Sequence, residues 1–276
     1  MLHTKVITTI GFLLCLTQQA MATDFASYRA VYELQPIRID QGLKVTPIDG
    51  ELAYEVNGSE CAGWTVTSDL LNRSAEAELG MRVSEIKSQS FETNDGLLMT
   101  VSQQETVNSH LVDNQEIKIH KDAPDATASG TVAGSKSLNF TIASGSIFPT
   151  QHQKKLLEAA MKGETRDVSN VYDGSDGSKQ FRIVSFIGKK HPAAEQSRPE
   201  LAPLSKLASW SLQLGYYPID DSQTETPEFQ ATFNLFENGI STEMLFDYGS
   251  YAMRAKLSKL EILAAPKCDP AQIKLK

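Results

Sequence analysis

Histidines, cysteines and paired carboxylates are the residues that could carry chemistry in this chain, and their spacing decides which chemistry is open to them. His110, His120, His152 and His191 stand outside the N-terminal segment, and none belongs to an H-E-x-x-H pair; C-x-x-C and G-x-S-x-G are also absent from the sequence. Neither a local zinc site nor a nucleophile elbow is indicated. His152 falls on an expected helix four residues before Leu156, so an imidazole satisfied at the helix edge is expected there. A general base would need an oriented partner. Asp173-Gly174-Ser175-Asp176-Gly177 sets two carboxylates around small residues, as calcium would require, but lacks the ligand order and terminal Glu of an EF-hand. A hairpin loop accounts for it, since Asp and Gly suit tight turns. No catalytic, metal or cofactor site follows from these residues.

The cysteines carry the clearest signal. His3 and Lys5 precede an apolar run from Val6 to Leu16, followed by Thr17-Gln18-Gln19 and Ala20-Met21-Ala22. This is the pattern of a secretory signal cleaved near Ala22, and the run is shorter than the about 20 residues that span a bilayer. Cys15 lies inside that run after Leu14 and would leave with it, so neither a lipid anchor nor a transmembrane anchor is expected. Cys61 and Cys268 remain. In an oxidising compartment such a pair is expected to be bridged, closing a loop of about 200 residues worth at most roughly 5 kcal/mol.

Composition bounds the rest. With 41% hydrophobic and 22% charged residues, the chain is that of a folded protein, and residues 23–276 suffice for one β-rich domain. A formal charge of −8 argues against nucleic acid and anionic headgroups as partners.

The dominant pattern along the chain is period-two alternation, which predicts half-buried strands. Tyr28, Ala30, Tyr32 and Leu34 share a face, as do Leu52, Tyr54 and Val56, and then Trp64, Val66, Ser68 and Leu70. Further strands are expected over 81–86, 97–101, 107–119, 167–171, 181–187, 210–214, 229–235, 244–248 and 251–263. Turns are expected at Asp49-Gly50, Asn57-Gly58, Asn94-Asp95-Gly96, Asp173-Gly174 and Asn238-Gly239. One amphipathic helix is expected, opened by a Thr150/Gln153 capping box, closed at Gly163, with Leu156, Leu157, Ala160 and Met161 as its apolar stripe. Residues 189–206, with Pro192, Pro199 and Pro203, read as an exposed loop. The fold class is therefore mainly β: a long antiparallel meander with one helix.

Aromatic residues alternate inward along several of these strands. Periodicity reports burial, so a filled core and a cavity lined by the same residues remain alternatives. Tyr32, Tyr54, Trp64, Trp210, Ala231, Phe233 and Phe246 form the candidate apolar pocket, suited to an acyl chain or an apolar partner segment.

Several segments together resemble the EipB family of cell-envelope integrity proteins. They are Tyr28-Arg29-Ala30-Val31-Tyr32-Glu33-Leu34, Gly50 with Tyr54-Glu55, Cys61 with Gly63-Trp64-Thr65-Val66, and Phe148-Pro149-Thr150 with His152. Tyr172 to Asp176, Ile187-Gly188, Pro227-Glu228-Phe229, Glu237-Asn238-Gly239, Asp247-Tyr248-Gly249 and Leu260-Glu261 extend the resemblance. Phe91-Glu92 departs from it, since the family often has Trp before that Glu. The resemblance implies a periplasmic protein with a β-spiral or open barrel-like sheet, similar in shape to the lipoprotein carriers LolA and LolB. It also implies pairing of Cys61 with Cys268, no catalytic or cofactor residues, and a tetratricopeptide-repeat protein or another envelope component as partner. The function expected is non-catalytic support of the envelope through binding a partner or a lipid-like ligand. A hydrolase acting on envelope polymers is the alternative.

Overall fold

The computed structural model describes residues 25–135, 137–220 and 225–268. The expected signal segment, 1–22, lies outside them. Alternation acts as anticipated in β1 (Tyr28–Ile39), where Tyr28, Ala30, Tyr32 and Leu34 are all buried while Arg29, Glu33 and Gln35 face out. It continues through β2 (Val45–Ser59), β3 (Gly63–Glu76), β4 (Gly80–Glu92), β5 (Leu98–Val107), β6 (His110–Lys121), β7 (Ala128–Gly134) and β8 (Leu138–Ile142). After α1 (Pro149–Lys162) come β9 (Arg166–Val171), β10 (Phe181–His191), β11 (Ser209–Pro218), β12 (Phe229–Phe236), β13 (Ser241–Asp247) and β14 (Tyr251–Ile262).

Four details correct the sequence reading. The strand expected over 107–119 is two strands, because Asn108 and Ser109 take positive φ (48° and 67°) and form a hairpin turn. Asp49-Gly50 and Asn57-Gly58 are not turns but lie inside β2, whose register slips between Pro47 and Asp49. Gly50 is needed there for close approach, since a Cβ would stand 2.6 Å from the Leu71 carbonyl oxygen. β7 was not expected because ASGTVAG holds one large apolar residue, and β8 because LNFTI, although it alternates, is only five residues long. In residues 189–206, a short 3-10 helix (Pro199–Leu204) buries Leu201 and Leu204 against the core, so that part is a plug and not an exposed loop.

The fourteen strands of the described residues form one antiparallel sheet, ordered β8-β7-β6-β5-β4-β3-β2-β1-β14-β13-β12-β11-β10-β9. Two meanders are thus joined where β14 returns to pair with β1. The sheet curls until its two edges approach. Ile147, just beyond β8, bridges to Val171 of β9, and the Gln180 side chain accepts from Ala143 N–H (2.8 Å) and donates to the Thr141 carbonyl (3.0 Å). These contacts cover edges that would otherwise invite pairing with another chain.

Three apolar clusters fill the curl. One joins β1, β13 and β14 with Trp64, Leu201 and Leu204; a second packs α1 onto β9–β12; a third joins β5–β8 with Phe148 and Tyr172. Ala231, a proposed pocket residue, belongs to the second cluster at 4% exposure, opposite Leu214 on one side and Phe246 on the other. It borders packed side chains, not a void. Ala231→Leu is therefore expected to destabilise by about 1 to 3 kcal/mol through overpacking. Urea unfolding checks this, and an unchanged midpoint would contradict the packing described.

Candidate functional site

A cavity of about 290 Å³ lies on the concave face of β2–β5, and its floor follows directly from strand register. Three cross-strand rows build it: Val56–Val66–Ser90–Val101, then Tyr54–Ser68–Ser88–Gln103, then Leu52–Leu70–Ile86. Each row comes from alternate residues, so the same period-two pattern that makes the strands also makes the floor. Outer rows are largely apolar and the middle one hydroxylic. A second cavity of about 260 Å³ shares Leu70 and continues along the same faces of β3 (Asn72, Ser74) and β4 (Ser84, Arg82). Inward residues of β4 thus line the two cavities in unbroken succession from Arg82 to Glu92. Leu34, Met253, Tyr248 and Tyr251 wall the outer part. Tyr248 and Tyr251 stack at 4.8 Å and continue an aromatic chain through Phe229 to Tyr216 and Phe181.

The inner end is closed by Phe25, the first turn of α1 (Pro149, Thr150, Gln153) and the loop Asp173–Ser175. The expected Thr150/Gln153 capping box is not what starts the helix. Phe148 is the N-cap, and its backbone N–H donates to Gln151 Oε1 at 3.3 Å. Thr150 instead donates from its N–H to both oxygens of Glu92 and from its hydroxyl to Oε1, each at 3.1 Å. Glu92, 58 residues away on β4, is thus a tertiary cap at the positive end of the helix dipole. Gly163 ends the helix with φ 78°, as expected.

Burial pushes the Glu92 carboxyl from its ordinary 4.5 up to about 7, against the lowering pull of the Thr150 and Gln151 hydrogen bonds and the Lys154 charge. Burial, then the Glu92 charge, raises the Tyr54 phenol to about 12. The loop is set by its own chemistry: Asp173 Oδ1 accepts from Ser175 N–H (3.0 Å) and Oγ (2.7 Å), as the turn reading of this motif anticipated. Gly174, at φ 71°, lies so close to β5 that a Cβ would stand 2.8 Å from Val101 Cγ2.

Of the seven pocket candidates, Tyr54 lines this cavity. Tyr32 and Trp64 are buried in the first cluster, Trp210 and Ala231 in the second, and Phe233 and Phe246 pack against both. Sequence reasoning missed Glu92, Ser68, Ser88, Ser90 and Gln103. Their inward phase was legible from period two, but polar residues on an inner face are discounted when burial is read from hydrophobicity alone.

A second polar cluster lies beneath α1. His152, expected at the helix edge, is buried at 5% exposure with Nε2 3.9 Å from Asp167 Oδ2. Burial lowers its imidazole from 6.5 to about 4. Burial would raise Asp167, but hydrogen bonds from Lys155 and Ser169 outweigh it and hold the carboxyl below its ordinary value. Ser169 Oγ donates to Asp167 at 2.7 Å and accepts from Lys155 at 2.8 Å, so its hydroxyl is not aimed at the imidazole.

Glu92 and His152 have opposite pH linkage. The raised Glu92 value makes folding most favourable below pH 4.5 and removes stability as pH rises to about 7. The lowered His152 value leaves its contribution intact above 6.5 and removes it as pH falls to about 4. Each shift corresponds to about 3 kcal/mol. These two terms are expected to cancel between about pH 4.5 and 6.5. Glu92→Gln should therefore reveal stability rising with pH across this window, and His152→Leu stability falling, by about 3 kcal/mol each in denaturant titrations. Two variants with identical slopes would contradict the assignment.

The chain matches the EipB-like family over residues 19–264. It is 28% identical over 246 residues to the cell envelope integrity protein EipB of Brucella abortus (strain 2308), covering 88% of this chain and 86% of that one. Its fold is similar to the crystal structure of a beta-barrel-like protein of a domain of unknown function from Brucella abortus, with a TM-score of 0.81 and 26% identity over 88% of this chain and 100% of that chain. The order and spacing of the motifs, the curled antiparallel sheet and the agreement over nearly the whole length lead to one conclusion: this chain belongs to the EipB-like family.

Proposed function

We propose that this protein is a non-catalytic binding protein of the cell envelope, exported to the periplasm, whose concave groove holds a lipid-like ligand. The carrying observation is the run of two adjoining cavities over β2–β5, with apolar rows along its floor and a helix terminus at one end. A concave site whose inner part is mainly apolar and whose outer part mixes apolar walls with polar groups suits an amphiphile. A role in envelope integrity is supported by the name of the Brucella relative and by the secretory pattern of the N-terminus. An acidic surface would keep the loaded protein in solution and off anionic membranes.

A hydrolase needs a nucleophile, a base and an orienting group within hydrogen-bond reach of one another. Ser169 is bonded to Asp167 instead of His152, and His191 meets Ser211 at a long 3.4 Å while Ser211 is engaged with Asn234 at 2.7 Å. These arrangements support binding over catalysis.

Ser88 stands at the centre of the cavity floor and offers the test. Ser88→Phe is expected to weaken uptake of an environment-sensitive fluorescent fatty-acyl probe at least tenfold while leaving the urea midpoint nearly unchanged. Unaltered uptake would remove the cavity from the function, and capture of a tetratricopeptide-repeat protein by both forms would point to the outer surface.

A further inference from the structure

We propose that the groove selects an amphiphile bearing an ammonium group, which seats against Asp173 at the inner end while its acyl chain runs over Leu70 into the outer cavity. This inference rests on the binding reading above and names its ligand class. The two ionisable carboxyls on the inner cavity wall are Glu92 and Asp173, and neither Lys nor Arg lines it. Glu92 is saturated by the first turn of α1. Asp173 is half-buried, uses Oδ1 for its own turn, and makes no ion pair among the described residues. A carboxylate held in a partly desolvated wall, without a cation, is matched by a cation brought by the ligand.

The two arginines that line the outer cavity already face carboxylates of the protein. Arg73 is held by both oxygens of Asp49 (2.5 and 2.9 Å), and Arg82 lies 3.9 Å from each of Glu76 and Glu105. Leu34, Val45, Met253 and Tyr251 make that stretch suitable for a hydrocarbon tail. A lipid is favoured over a peptide because each buried peptide unit needs hydrogen-bond partners. The floor strands β2–β5 are already paired on both sides and offer no free edge.

Three C16 probes of one chain length separate the possibilities: hexadecylamine, monopalmitoylglycerol and palmitate, titrated below their micellar concentrations. Hexadecylamine is expected to bind at least tenfold more tightly than palmitate, with the neutral probe between. Asp173→Asn keeps the oxygen that accepts from Ser175 and so keeps the turn, but removes the charge. It should bring hexadecylamine and palmitate within about threefold of each other. Asp69→Asn makes the same charge change on the opposite face of β3 and should leave the preference intact, which separates site binding from general attraction to an acidic protein. Palmitate binding as tightly as hexadecylamine, or a preference unmoved by Asp173→Asn, overturns the proposal while leaving the binding reading in place. Failure of all three probes overturns both. Ethanolamine binding as tightly as hexadecylamine would also overturn it, by showing a site for a free amine.

Discussion

Trp64→Ala is expected to destabilise the protein by about 3 to 5 kcal/mol, the range for removing a large buried aromatic side chain. The ring is 3% exposed and meets Phe25 edge-on at 5.0 Å. Across the strand pair it lies over Gly58, where any Cβ would approach its ring carbons to 2.6 Å. Its Nε1–H donates to Asn94 Oδ1 at 2.8 Å, and Asn94 in turn donates to the Ser59 carbonyl at 2.8 Å. Lys154 of α1 lies 4.5 Å from the ring. One side chain therefore ties the β2–β3 turn, the β4–β5 turn and the helix together, and its loss leaves a cavity and removes the shorter of the two hydrogen bonds to Asn94 Oδ1, the other coming from Lys154 Nζ at 3.5 Å. Trp64→Phe, which keeps most of the volume but not the N–H, should cost about 1 to 3 kcal/mol. Urea unfolding of both variants checks the ordering; a Trp64→Phe variant as stable as the unaltered protein would mean that the hydrogen bond to Asn94 contributes nothing.

Breaking the Cys61–Cys268 bond is expected to cost about 2 to 5 kcal/mol. The structure joins these residues across 207 positions with Cα atoms 5.7 Å apart, inside the range a disulfide can span. The folded sheet already brings the two ends together, because β14 pairs with β1, and Leu263 N–H donates to the Ser27 carbonyl at 2.9 Å. Most of the effect thus falls on the unfolded chain, whose freedom the long loop restricts, and residual structure there reduces the ideal value. Cys61→Ser, Cys268→Ser and the double variant should lose the same stability, since each removes one bond. Two maleimide-reactive thiols in the unreduced, denatured protein would contradict the pairing.

What the sequence revealed follows the physics of each element. Period two located β1, β3 and β10–β14 because their inner faces carry large apolar residues such as Tyr32, Trp64 and Leu212. The same criterion passed over β7, built mostly from small and polar residues, and β8, whose alternation of Leu138, Phe140 and Ile142 spans only five residues; both are held by their neighbours. Glycine misled at Asp49-Gly50, where the residue serves close approach within a strand and not a turn. The cavity was least legible. Inward phase is local, but whether an inward side chain meets another or meets space depends on how far the sheet curls. Tyr54 and Trp64 show this: they lie on adjacent strands with the same inward phase, yet one lines the cavity and the other the packed cluster. Glu92 was visible as a residue of a known motif but not as a helix cap, since its partner Thr150 is 58 positions away.

On the function proposed above, the groove holds a lipid-like ligand in the cell. Mass spectrometry of an organic extract from protein purified out of the periplasm tests it most directly, with the Ser88→Phe variant purified in parallel. An acyl-chain species at close to one per protein is expected in the unaltered form, and its loss from Ser88→Phe. Extracts of the two forms that carry the same trace lipids, or none, would contradict it.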